Sequence, residues 1–363
     1  MSTASAAISE ACRVWLAAVL APVEVPPGST SREIVRGAIG FEQPPRVPYC
    51  FKVPLGTDFF ELATLQRLLD RVSEPLRAPG TEYVDEWGVT YRKTRFSWDD
   101  AIGHPLPDLA GVDSHRLADV AAPQRTRRLE PFVRRAQQAG KYVVGADPVL
   151  LHERLCALMG FERAMTAPYR QRDAFESLLD RMTDLTVAAI ERLGGLGGVD
   201  AFMTWQDHGL QSGPLMNPAL FRQLYKPRYA RAVAAAHRFG MDYIWHSCGQ
   251  IAGLIPDMID IGVDVVQLDQ PRLIGHRQLA ERFGGNICFW NTVDIQWAAD
   301  PAVTAADVAA EVAAMLEPFS ACGGGLMVRH YGDPDDIGLS QEFHRASYDA
   351  FMKHGCGRSA RLQ

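Results

Sequence analysis

The sequence predicts an α/β protein built as a (β/α)8 barrel of the TIM type with an N-terminal helical extension. Three observations carry that prediction. Short apolar runs alternate with helical stretches through the C-terminal half at intervals of about 20 to 45 residues, the rhythm of repeated βα units. Counting back toward the N-terminus brings the strand-like segments to eight, the number that closes a barrel. VPYCFKVPLGTDFF lacks the Gly-rich phosphate loop that an open doubly wound sheet carries after its first strand.

The elements follow in order. Residues 1–40 read as the helical extension and 41–363 as the barrel. Thr30 and Glu33 form a capping box for the helix REIVRGAIG. VPYCFK reads as the first buried strand, and 82–93 alternates like a hairpin or pair of short strands and supplies the second of the eight segments. Residues 123–139 and 152–193 are helical by their three- and four-residue apolar spacing, with KYVVGAD between them as a strand. The remaining strands are DAFMTWQD, DYIWHSC, DVVQLD, NICFWNTVD and GLMVRHY.

Composition narrows the function. The chain has 363 residues, 37 Lys plus Arg against 43 Asp plus Glu and a net charge of −6, without a basic block, which excludes a nucleic-acid footprint. The apolar run from Val14 to Val23 is too short to cross a bilayer. Its approach, broken by Glu10 and Arg13, reads as a helix of the mature protein rather than a signal peptide. Seven scattered cysteines suit a reducing cytoplasm.

Barrel active sites lie at the C-terminal ends of the strands, and here those ends are polar. They carry Asp147, Gln206-Asp207-His208, His246-Ser247-Cys248, Asp269-Gln270, Asn291 with Asp294, and His330-Tyr331. Residues two apart on a strand share a face, so His246 and Cys248 can converge on one cation, and the pair suits zinc. Cys322 enters the last strand from the N-terminal face, whereas His330 leaves it at the C-terminal face. His330 is therefore the expected third ligand, with Asp207 as a second-choice oxygen donor.

From about Arg32 onward the chain resembles the uroporphyrinogen decarboxylase superfamily, and more closely its corrinoid-dependent methyltransferase branch. The resemblance rests on REIVRGAIGFEQPPRVP, DEWGVTYRK, HPLPDL, LMGFERAM, DHGLQSGPLMNPALFRQLYKPRY, HSCGQIAGLIPDMIDIGVDVVQLDQ, FWNTVDIQ and CGGGLMVRHYGDP, in that order. The arginine motif by which true decarboxylases hold their substrate is missing around Arg46 and Asp85. The methyltransferase branch uses an H-x-C pair, matched by His246 and Cys248, and a later Cys, whose place is taken by Arg329-His330-Tyr331.

The resemblance implies methyl transfer between a corrinoid such as methylcobalamin, carried on a separate protein, and a small acceptor such as tetrahydrofolate or a thiol. In that reading Asp207, His246 and His330 are catalytic, His246, Cys248 and His330 hold zinc, and Gln211, Asp269, Gln270, Asn291, Asp294 and Tyr331 bind substrate. Three alternatives stay open. One is demethylation of a methoxylated or methylamine compound, for which Trp205, Trp245, Trp290 and Tyr331 are rim aromatics, although Trp245 reads as core. The others are a uroporphyrinogen-type decarboxylase and a non-catalytic tetrapyrrole or pterin binder.

Overall fold

The computed structural model describes residues 10–355 apart from 52 and 74–76. Among the described residues eleven strands are formed: β1 (Tyr49–Cys50), β2 (Phe59–Glu61), β3 (Glu82–Val84), β4 (Thr90–Arg92), β5 (Asp100–Gly103), β6 (Tyr142–Ala146), β7 (Ala201–Trp205), β8 (Asp242–His246), β9 (Val265–Leu268), β10 (Cys288–Asn291) and β11 (Leu326–Arg329). Eight of them pair in the order β1-β11-β10-β9-β8-β7-β6-β2, every ladder parallel. The seam between β1 and β2 is drawn together by the Cys50–Thr57 bridge and by Asp58 N–H donating to the Tyr49 carbonyl at 2.9 Å. The result is a nearly closed (β/α)8 barrel, as the sequence predicts.

One of the eight expected strands is misplaced. Residues 82–93 form β3 and β4 of a separate antiparallel sheet completed by β5, outside the barrel. Their alternation is that of a hairpin turning at Gly88, where φ is +80°, and the barrel position belongs instead to the three residues of β2. This small sheet is tied beside the C-terminal mouth. Arg154 on the helix Leu151–Met159 pairs with Asp85 at 2.9 Å, and Ser97 N–H donates to Asp336 beyond β11.

Strand residues pointing inward make a continuous core of Phe59, Tyr142, Val144, Ala201, Met203, Ile244, Val265, Cys288, Trp290 and Met327. Val35 and Ala38 join it from the helix Ser31–Ile39, whose apolar positions repeat every three to four residues and so face one way. That helix, fixed at its start by the expected Thr30–Glu33 capping box, closes the floor of the barrel. It also neutralises a buried charge there, since Arg32 Nε and Arg36 Nη2 approach Asp200 Oδ1 at 2.5 and 3.1 Å. Residues 1–9 of the expected extension lie outside the described residues.

Asp242 shares this floor. Burial, with the charges of Asp264 and Asp200 adding to it, outweighs the hydrogen bond from Tyr142 and pushes its carboxyl up to about 6. A folded-state pKa above the unfolded value of about 3.9 means that stability is full at low pH and is lost as pH rises through 6. Asp242→Asn mimics the protonated acid and still accepts from Tyr142. Its melting temperature is therefore expected to exceed that of the parent at pH 8, and the gap to close as pH falls toward 4. A gap independent of pH would place the shift elsewhere.

Candidate active site at the C-terminal mouth

Ala201, Met203 and Trp205 point into the barrel along β7, so Asp207 continues in phase just beyond the strand. Ile244 points inward on β8, which puts His246 and then Cys248 on the same face. The two following loops are pressed together by glycines. Gly249 has φ +80°, a Cβ there would lie 2.4 Å from the Gly209 carbonyl carbon, and a Cβ on Gly209 would lie 2.5 Å from the Cys248 carbonyl oxygen. Only two bare backbones fit so closely.

This contact brings three donors together. His246 Nε2 lies 3.5 Å from Asp207 Oδ1 and 3.6 Å from Cys248 Sγ, and all three ligand atoms fall within 4.8 Å of one another. Cys248 N–H donates to Asp207 Oδ1 at 2.7 Å, and Asp207 N–H donates to Glu153 Oε1 at 3.1 Å. Burial pushes the Asp207 carboxyl up, but the hydrogen bond and charge of His246 pull it down further, to about 2. His246 itself is pushed down by burial and held well above its usual range by Asp207 and Cys248. Burial raises the Cys248 thiol despite His246 beside it, while burial together with the Asp207 charge lifts Glu153 to about 7.

A second layer orients the imidazole. Gln267 Nε2 donates to Asp269 Oδ1 at 2.8 Å, which turns the Gln267 carbonyl oxygen toward His246 Nδ1. A carbonyl oxygen only accepts, so Nδ1 carries a proton, which leaves Nε2, facing Asp207 and Cys248, as the nitrogen that would bind an ion on losing its own proton. This donor set fits a zinc ion: one nitrogen, one sulfur and one carboxylate oxygen, with a fourth position left open.

The opposite wall comes from β1, β2, β10 and β11. Arg329 Nη2 lies 3.3 Å from Glu61 Oε1, Cys50 Sγ donates to Glu61 Oε2 at 3.6 Å, and the Arg329 guanidinium sits 4.6 Å above the Trp290 ring. Tyr331 is two residues further on, and burial, with Asp269 and Cys248 adding, pushes its phenol up to about 12.

Several expected site residues lie elsewhere. Because Met327 is in the interior core, Arg329 points inward and His330 outward. The His330 ring packs on Phe51 and His344 and reaches Ser347 on the C-terminal helix at 2.8 Å, so it does not join His246 and Cys248. Asp207, the second-choice donor, takes that place. Asn291 alternates against inward-facing Trp290 and is fully buried on the outside of the barrel. Asp294 is spent on backbone, accepting from Gln296, Trp297 and Arg272 N–H. Gln270 accepts from Gly249 N–H at 2.6 Å and so braces the loop. Gln211 is exposed on the loop after β7, Asp269 and Tyr331 are at the mouth, and Trp245 packs outside the barrel at 4.1 Å from Tyr229.

Sequence reasoning missed Glu61, Glu153, Gln267 and Arg329. Gln267 and Arg329 were legible in principle, each two residues before a residue already singled out at the mouth, Asp269 and Tyr331.

Neither amide atom of Asn291 has a partner among the described residues. An unpaired buried amide costs about 1 to 3 kcal/mol. Asn291→Leu, similar in volume, is accordingly expected to match or exceed the parent in denaturant unfolding, by up to about 2 kcal/mol. A loss of that size instead would show that the amide is bonded.

Residues 153–323 match the family described as uroporphyrinogen decarboxylase (URO-D). No curated protein matches the chain in sequence. Among solved structures, a methyltransferase from Methanosarcina mazei superposes with a TM-score of 0.61 at 18% identity, covering 90% of this chain and 99% of that one, a likeness of fold. Xylanase 10B from Thermotoga maritima, at 10% identity over 89% of this chain and 98% of that one, reaches a TM-score of 0.43. The matched segment runs from Glu153 through β10 and holds Asp207, His246 and Cys248.

Proposed function

We propose that the protein is a methyltransferase that moves a methyl group between a corrinoid, carried on a separate protein, and a small acceptor such as tetrahydrofolate or a thiol. Zinc is held in this reading by Asp207, His246 and Cys248. The observation that carries the proposal is the convergence of those three unlike donors at the C-terminal mouth, within 4.8 Å. The methyltransferase fold of the Methanosarcina mazei protein supports it.

When bound, the ion supplies Lewis acidity that lowers the pKa of an acceptor thiol or polarises the acceptor. The chain's own residues do the positioning. Gln267 and Asp269 hold the His246 tautomer, while Glu153 and Cys248 N–H fix Asp207 through its backbone and its carboxylate. Trp205, half-buried at the end of β7, gives the mouth an apolar flank against which a reacting methyl group is shielded from water.

Elemental analysis of purified protein is expected to find close to one zinc per chain. Cys248→Ala and Asp207→Ala should each remove most of it, and His330→Ala should leave it in place. Gln267→Leu, which frees the imidazole to turn, should weaken zinc by about 10- to 100-fold in chelator competition. Methyl transfer from methylcobalamin to tetrahydrofolate or a thiol, followed by the corrinoid spectrum, should fall with zinc across the series. Full zinc content in Cys248→Ala would overturn the ligand set, and absence of transfer by zinc-loaded protein would overturn the reaction.

A further inference from the structure

Arg329 is held on three sides. Its guanidinium lies over Trp290 at 4.6 Å, and Trp290 in turn stacks on Phe59 at 4.4 Å and 20° between planes, so the cation is the top layer of a stack built inside the barrel. Glu61 pins one edge at 3.3 Å. Nε donates to the His330 carbonyl at 3.4 Å. The remaining nitrogen, Nη1, is buried and has no hydrogen-bond partner among the described residues, in a side chain only 12% exposed. Most buried polar groups have a partner, and an orphan donor costs free energy until one arrives.

We propose that Arg329 is the residue that recognises the substrate, donating from Nη1 to the oxygen of a neutral carbonyl group such as an amide or lactam. The site of entry follows from the strand. Arg329 ends β11 facing inward, and Tyr331, two residues further on, is half-buried at the same mouth, so a ligand that reaches Nη1 enters from the C-terminal end of the barrel.

Charge decides between a neutral carbonyl and a carboxylate. Glu61 already neutralises Arg329, and Asp269 adds a second negative charge within its reach. A further anion placed beside these carboxylates is repelled by them. A carboxylate on Nη1 meets that repulsion and a neutral carbonyl does not. The proposal rests on the preceding reading only for the location of the substrate at this mouth. It requires neither zinc nor methyl transfer.

The test is a ligand-observed NMR titration with benzamide and benzoate, two flat probes of equal size that differ in charge. The parent protein should bind benzamide at least tenfold more tightly than benzoate, and Arg329→Met should lose about tenfold or more in benzamide affinity. Arg329→Met leaves Glu61 unpaired. The double variant Arg329→Met, Glu61→Gln removes that charge and should be folded by circular dichroism while still failing to bind benzamide. Elemental analysis on the same samples should show zinc unchanged by either variant, so failure of the metal site is read separately. Equal benzamide affinity in the double variant, preference for benzoate, or binding of neither probe by the parent would each overturn the proposal.

Discussion

The alternation of side chains along short parallel strands governs what this barrel can offer chemically. Each strand has five residues or fewer, so it presents at most one or two inward side chains at the mouth, and a shift of one position sends a side chain into the helical layer. In phase with the interior are Asp207, His246, Cys248, Gln267, Asp269 and Arg329. Out of phase are Gln206, which bonds Thr204, and His330, which bonds Ser347. The donor cluster is a consequence of register between β7 and β8, where Trp205 pairs with His246, combined with a glycine contact that lets both loops turn at the same height.

The two ends of the barrel handle buried charge differently. On the floor, Asp200 is fully enclosed and receives Arg32, Arg36 and the Val143 N–H, an arrangement that leaves nothing to offer a ligand. At the mouth, the carboxylate of Asp207 is about half exposed and the Arg329 guanidinium retains an unused donor. Between them the Phe59–Trp290 stack and the apolar layer of Met203, Ile244 and Met327 fill the interior. Sealing one end with a helix lets the other hold incompletely satisfied groups, since the stability of the enclosed core tolerates about 1 to 3 kcal/mol for each.

Much of this was legible in the sequence where periodicity was long enough to read. The five strands from β7 to β11, the Thr30–Glu33 cap and the face shared by His246 and Cys248 all follow from local pattern. The three residues of β2 were hidden because alternation cannot be established over so short a run, and the longer alternation of 82–93 took its place. The third donor was misjudged for a related reason. Proximity to the end of β11 favoured His330, whereas its pairing with β1 and β10 leaves Arg329 facing inward. Asp294 illustrates a different limit, because an acid at a strand end that begins a helix has backbone N–H groups as its nearest partners.

Asp207 in place of a second cysteine has a chemical consequence for the proposed zinc site. One thiolate and one carboxylate carry the same formal charge as two thiolates, so a divalent ion with His246 is neutralised equally in either set. The carboxylate is the harder donor and gives up less electron density than sulfur. A zinc ion held by Asp207, His246 and Cys248, as proposed, would therefore keep more of its Lewis acidity. It would do so beside Cys248 N–H, which already shares the Asp207 oxygen at 2.7 Å and draws further charge from it. A site tuned in this direction favours activation of a weakly acidic acceptor, and the backbone contact that sets Asp207 in place also sets its donor strength.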